Sequence, residues 1–161
     1  VADELELVPL VLNDVLQKVV DRLTAIATQQ QVTLVLDDAA ETFAVLATEE
    51  PLIRVFTNII ENAILYNQPN GSVTMGMRRD GDDVVIIVQD TGIGIAKADV
   101  EKIFDRFYRA DKSRSRRTGG SGLGLSIARS ILQSFHGTIT MESTVNVGTT
   151  VHISLPIHNA S

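Results

Sequence analysis

Apolar positions recur along the chain with two periods, and the switches between them predict the elements. Leu12, Val15, Leu16, Val19, Leu23 and Ile26 return every three or four residues, which marks one apolar helix face running to about Gln29. Pro9 is read as opening that helix, where a missing N–H does no harm. Ahead of it, residues 4–8 alternate acidic and apolar and suit a short edge strand. Residues 32–36 and 42–47 read as strands. Thr48 then suits an N-cap, and Glu49, Glu50 and Pro51 suit a first helical turn. The helix from there to Tyr66 buries Leu52, Val55, Phe56, Ile59, Ile60 and Ala63 on one face.

Turn residues punctuate the remainder. Asn67, Pro69, Asn70 and Gly71 end the helix region. Residues 72–79 and 83–90 are expected to pair around Asp80-Gly81-Asp82 as a hairpin. Residues 98–107 read as a short helix. A further helix begins after Gly124, with Leu125, Ala128, Ile131, Leu132 and Phe135 on one side. Strands at 138–143 and 149–155, joined around Asn146-Val147-Gly148, close the chain, and the tail from Pro156 is expected to fray.

Four stretches carry candidate chemistry. The apolar run Val84 to Val88 ends on a carboxylate and a glycine turn, Asp90-Thr91-Gly92-Ile93-Gly94-Ile95. A carboxylate there can accept a hydrogen bond from an exocyclic amine, and glycine lets a ligand approach the main chain. By itself Asp-x-Gly is also an ordinary turn. Asn58 and Asn62 lie four apart and so project from one side of a helix. Asparagine is a poor interior helix residue, so the pair reads either as a polar helix edge or as amide oxygens facing a ligand or Mg²⁺. Gly119-Gly120-Ser121-Gly122-Leu123-Gly124 leads into a helix whose free N–H groups suit phosphate. It matches neither the P-loop, since no lysine follows, nor the dinucleotide fingerprint, since no strand precedes it. Between these glycine clusters, Arg106, Arg109, Lys112, Arg114, Arg116 and Arg117 put six of the chain's 14 basic residues into about twelve positions. That segment is either a solvated loop or a flap over an anion.

Composition narrows the field. With 161 residues and 44% hydrophobic content, the chain is one domain with a real core. No cysteine is present, so disulfides and thiolate metal sites are excluded, as suits a reducing compartment. A formal net charge of −6 argues against nucleic acid or an anionic membrane surface as partner. Tryptophan is absent and aromatics are 4%, which disfavours base-stacking platforms. No run is long and apolar enough to span a bilayer. Val1 in place of an initiating methionine suggests a fragment. His136, His152 and His158 have no metal-like spacing and read as structural or exposed.

Taken together, these stretches resemble the ATP-binding catalytic domain of bacterial sensor histidine kinases, within the group shared with gyrase, the Hsp90 chaperone and the MutL repair protein. The N box is NIIENAILYN at 58–67, the first glycine box DTGIGI at 90–95, the F box IFDRFYRADKSR at 103–114 and the second glycine box GGSGLGLSIA from Gly119. The closing FHGTITMEST and VGTTVHISLP are also similar to that family's last strands.

The resemblance implies an α+β fold: a two-layer α/β sandwich of Bergerat type, with a mixed sheet of about five strands covered on one face by about three helices, and an ATP lid. It implies residues 1–8 as a linker or edge strand after a dimerisation domain, 9–156 as the catalytic domain and 157–161 as a tail. The implied ligands are ATP and Mg²⁺. Asn62 matches the magnesium-bound asparagine, with Asn58 one turn earlier, and Asp90 matches the adenine-reading carboxylate. Tyr66, Gly92, Gly94, Ile95, Phe104, Phe107, Lys112, Gly120, Gly122, Leu123, Gly124 and Thr149 complete the implied nucleotide site. Asn58, Arg109 and Arg114 are the implied catalytic residues.

Two departures from the family pattern matter. Leu65 stands where the family usually has a lysine, so one phosphate contact is expected to be missing. The phosphoacceptor histidine with its helical hairpin is absent. The expected activity is therefore donation of the γ-phosphate of Mg-ATP to a histidine on a dimerisation domain of the same protein, upstream of a response regulator, with this fragment monomeric and cytoplasmic. In the group's ATPases a glutamate one turn before the metal asparagine activates water. Here Asn58, an amide, cannot be a general base, which favours transfer over hydrolysis. The alternative is a degenerate module that senses nucleotide or docks partners.

Overall fold

The computed structural model describes residues 6–37, 41–100, 102 and 124–159. In chain order these form β1 (Val8–Val11), α1 (Leu12–Gln29), β2 (Thr33–Leu36), β3 (Ala44–Ala47), α2 (Glu49–Leu65), β4 (Ser72–Asp80), β5 (Asp83–Asp90), α3 (Lys97–Val100), α4 (Gly124–Ser134), β6 (Thr138–Thr144) and β7 (Gly148–Pro156). A five-stranded sheet runs β2-β4-β5-β7-β6, and a small second sheet pairs β1 with β3. Only the β2–β4 pair is parallel in the larger sheet. The mixed five-stranded sheet of the expected α+β sandwich is thus present.

One face of that sheet makes the core. Its register aligns Met75, Val88, Val151 and Met141 across four strands, and Met77, Ile86, Ile153 and Ile139 in the next row. Over these rows lie the helices: α1 on β2, α2 on β4 and β5, and α4 on β6, with α2 packed between α1 and α4. Every apolar α2 residue expected to be buried is so, and Ile53 and Ile64 join them.

Three local expectations change for tertiary reasons. Pro9 lies in β1 opposite Leu46, not in the first turn of a helix. An edge strand tolerates a proline that has no N–H to give, and the partner that makes β1 a strand is some forty residues away. The helix starts at Leu12, whose N–H donates to Phe43 O at 2.8 Å. Asn13 completes this junction, accepting from Phe43 N at 3.0 Å and donating to Glu41 O at 3.3 Å. Thr48 does occupy the N-cap position of α2 but makes no side-chain cap bond. Its hydroxyl donates to Glu6 O at 2.9 Å, fastening the segment before β1. Finally, the chain after Pro156 is tied down at least to His158: Ile157 N donates to Asp82 O at 2.9 Å and His158 N to Ala44 O at 2.7 Å. Among the described residues no helix is long and apolar enough to cross a membrane.

Phe56 is wholly buried at the middle of α2. Phe56→Ala is expected to cost about 3–5 kcal/mol and lower the melting temperature by roughly 10 °C. Thermal unfolding followed by circular dichroism checks this, and a change within a degree or two would mean that α2 is not the spine of the core.

Candidate functional site

The site grows out of strand parity. Val84, Ile86 and Val88 face the helices and are buried, and a period of two puts Asp90 on the same side. The register continues that position into neighbouring strands as Val73, Asp90, Thr149 and Ser143. The apolar sheet face therefore ends in three polar side chains. Asp90 Oδ1 accepts from Gly92 N at 2.8 Å and Thr149 N at 3.2 Å. No described residue donates to Oδ2. Burial pushes the Asp90 carboxyl above its ordinary range, and the two backbone N–H bonds pull it partly back.

Thr149 is buried, and its Oγ1 lies 2.7 Å from Ser143 Oγ. The Ser143 hydroxyl also accepts from Ile95 N at 2.7 Å and donates to Gly148 O at 3.1 Å. Sequence reasoning passed over Ser143 as an ordinary strand residue. The signal it carried was parity: it continues the inward series Ile139, Met141.

Gly92 and Gly94 were expected to let a base approach the main chain. On the side where each would carry a Cβ, protein takes up the space instead. At Gly92 that atom would lie 2.6 Å from Tyr66 O. Gly94 adopts φ 73° and faces Thr144 O, and Gly148, at φ 145°, faces Asp90 O. These glycines permit backbone to pack on backbone, which holds the 90–95 turn between the end of α2 and the β6–β7 turn. Ile93 N donates to Tyr66 O at 3.2 Å, and Asn146 N donates to Ile93 O at 2.7 Å.

Asn67 is a second residue whose importance the sequence did not reveal. It is 6% exposed, donates to Ser72 O at 3.0 Å and accepts from Gln68 N at 2.8 Å. Thr91, across from it, accepts at its hydroxyl from Ser72 N at 2.9 Å and at its carbonyl from Gln68 Nε2 at 3.0 Å. Together they stitch the end of α2 to the starts of β4 and of the glycine turn.

Along α2 the polar edge is Asn58, Asn62 and Tyr66, at successive turns. Asn58 Nδ2 donates to Gly124 O at 3.2 Å. A Cβ on Gly124 would lie 3.9 Å from Asn58 Cβ and from Asn62 Nδ2, so both amides border the start of α4. The structure thus joins Asn58, Asn62, Tyr66, Asp90, Gly92, Gly94, Ile95, Gly124 and Thr149 into one band. Phe104, Phe107, Arg109, Lys112, Arg114, Gly120, Gly122 and Leu123 lie outside the described residues.

The Asp90 environment has a consequence for stability. Because its folded pKa is raised, the folded state holds the proton more tightly than the unfolded chain. That stability is present at low pH and is lost as pH rises through the folded value. Asp90→Asn keeps an acceptor for Gly92 and Thr149 while removing the charge. It should melt higher than the parent at neutral pH, by a few degrees (about 1 kcal/mol), with the gain shrinking below the ordinary carboxylate range. Melting curves at acid and neutral pH test this, and a neutral-pH loss would contradict it.

Residues 47–159 match the family described as histidine kinase-, DNA gyrase B-, and HSP90-like ATPase. The chain is 39% identical over 145 residues to the sensor-like histidine kinase SenX3 of Mycolicibacterium smegmatis, covering 89% of this chain and 37% of that protein. It is 44% identical over 110 residues to the sensor histidine kinase WalK of Bacillus subtilis, covering 67% of this chain and 18% of that protein. Among solved structures, the catalytic domain of histidine kinase ThkA is similar with a TM-score of 0.81 at 25% identity, over 94% of this chain and 95% of that one. Full-length ShkA in complex with AMPPNP is similar with a TM-score of 0.85 at 25% identity, over 100% of this chain and 33% of that one. The chain spans well under half the length of SenX3 and WalK. It belongs to the histidine kinase-, DNA gyrase B-, and HSP90-like ATPase family.

Proposed function

We propose that this domain binds Mg-ATP in the cytoplasm and presents the γ-phosphate to a histidine on a separate dimerisation domain of its parent protein, which signals to a response regulator. The observation that carries this is the arrangement of free and engaged polar groups. Asp90 Oδ2 and the Asn62 carboxamide make no hydrogen bond to any described residue, while Asn58 is occupied by Gly124 O. An acceptor at one end of the band suits the amine of adenine. An uncommitted amide oxygen nearer α4 suits a phosphate-bound cation. Relatives named as sensor histidine kinases, and a similar protein described in complex with AMPPNP, support the same reading.

The donor set fits Mg²⁺ as a shared ion and not as a caged one. Magnesium takes oxygen ligands, keeps several waters and is usually completed by substrate phosphates. Among the described residues no group of three or more His, Asp or Glu could hold a metal. Asn62 would be the protein ligand, and the bound ion would supply charge neutralisation at the phosphates.

The chain's own residues bind and orient. Asp90 and Thr149 fix the purine end, and the positive end of the α4 dipole lies toward the phosphates. Asn58, held by Gly124, places no carboxylate where water could be activated, so the bound nucleotide awaits an acceptor. Catalysis is then mainly positioning and charge neutralisation.

Calorimetric titration with ATP, with and without magnesium, tests the reading. Saturable, magnesium-dependent binding is expected, and Asn62→Ala should abolish the magnesium dependence. Labelled phosphate should move to the dimerisation domain when that domain is supplied, with little release to water. No binding at millimolar ATP would leave the chain a partner-docking module, and rapid phosphate release without an acceptor would make it an ATPase.

A further inference from the structure

The Ser143 hydroxyl makes three contacts, and proton counting fixes the sense of each. A serine hydroxyl has one hydrogen to donate and two lone pairs to accept with. Ile95 N can only donate, so at 2.7 Å it takes one lone pair. Gly148 O can only accept, so at 3.1 Å it takes the hydrogen. What remains is one lone pair, and Thr149 Oγ1 at 2.7 Å must donate to it. This is the one assignment that satisfies all three contacts together. It turns the Thr149 hydrogen toward Ser143 and leaves Thr149 Oγ1 presenting only lone pairs elsewhere.

Thr149 and Asp90 are direct cross-strand partners on the same sheet face. Directly opposed side chains stand about 5 Å apart. Asp90 Oδ2 is itself an acceptor while ionised. The end of the sheet therefore offers a ligand two neighbouring acceptors and, from these side chains, no donor.

We propose that Ser143 is a positioning residue that sets nucleobase choice: by holding Thr149 as an acceptor beside Asp90, it makes the site select a 6-aminopurine and reject a 6-oxopurine. This rests on the nucleotide reading given above. A 6-amino group brings two hydrogens to two acceptors. A 6-oxo group brings a third acceptor, leaving buried polar groups unpaired, and unpaired buried groups are what give hydrogen-bonding sites their discrimination. In Ser143→Ala the Thr149 hydroxyl loses its acceptor, turns, and can donate to a 6-oxo group. The same substitution frees the Ile95 N–H.

ATP and ITP differ at position 6 and in the N1 proton that the 6-oxo form carries, and the ratio of their dissociation constants is the readout. The parent domain is expected to favour ATP by at least about tenfold, and Ser143→Ala to narrow that ratio by about tenfold. Ser143→Thr, which keeps the hydroxyl, should restore it. Thr149→Val should narrow it too, and the double variant should do no more than either single one, because the two hydroxyls act as a unit. Amide exchange at Ile95 in the nucleotide-free protein gives a second readout: faster in Ser143→Ala and restored in Ser143→Thr.

A loss of ATP affinity in Ser143→Ala with the ATP-to-ITP ratio intact would reduce Ser143 to a structural role and overturn the proposal alone. An unchanged ratio in a folded Thr149→Val does the same, should Ser143→Ala not fold. A parent domain that binds neither nucleotide would overturn the nucleotide reading and, with it, this one. In that case faster Ile95 exchange would still show that the hydrogen-bond network was assigned correctly.

Discussion

The site depends on one carboxylate oxygen that accepts two backbone N–H groups. Asp90 Oδ1 bonds Gly92, in its own turn, and Thr149, on the adjacent strand. Those bonds fix the carboxylate's rotamer and leave the other oxygen directed elsewhere. They also offset part of the desolvation that holding a carboxylate among apolar residues entails. Ionised and without a ligand, Asp90 works against the stability of the fold. A buried carboxylate whose ionised form is disfavoured by burial is a functional-site candidate.

Around that oxygen the backbone is packed more tightly than any side chain would permit. Gly92 faces Tyr66 O, Gly94 faces Thr144 O and Gly148 faces Asp90 O. The end of α2, the 90–95 turn and the β6–β7 turn are consequently held as one body, with Asn67 and Thr91 closing the seam to β4. The Asp90 end of the site is thus held in place by main chain. The other end is built differently. There, among the described residues, Asn58 donates to Gly124 O at the start of α4.

Much of this was legible in the chain. The 3.6-residue period located α1 and α2 with their buried faces, the turn residues located the β4–β5 hairpin, and Asn58, Asn62 and Asp90 stood out because each is costly where it sits. Ser143, Asn67 and Gly148 did not stand out. A serine in a strand, an asparagine in a turn and a glycine in a hairpin are each locally ordinary. Their roles exist only against partners in other elements: Ile95 and Thr149 for Ser143, Ser72 for Asn67, and Asp90 O for Gly148. Pro9 was misplaced for the same reason, because the strand it joins is made by β3.

The sequence by itself determined which residues are apolar and at what period, and so which elements form and which faces they bury. It also determined that an amide, not a carboxylate, precedes Asn62 by one turn, and with it the chemistry this position can perform. Only the tertiary structure decided the register of β5, β7 and β6. That register places Asp90, Thr149 and Ser143 in one row and assigns each hydroxyl its role as donor or acceptor. Periodicity is a property of neighbours along the chain, whereas hydrogen-bond sense depends on which groups are brought within 3 Å of one another across it, and a strand shifted by one residue would turn every one of them to the other face.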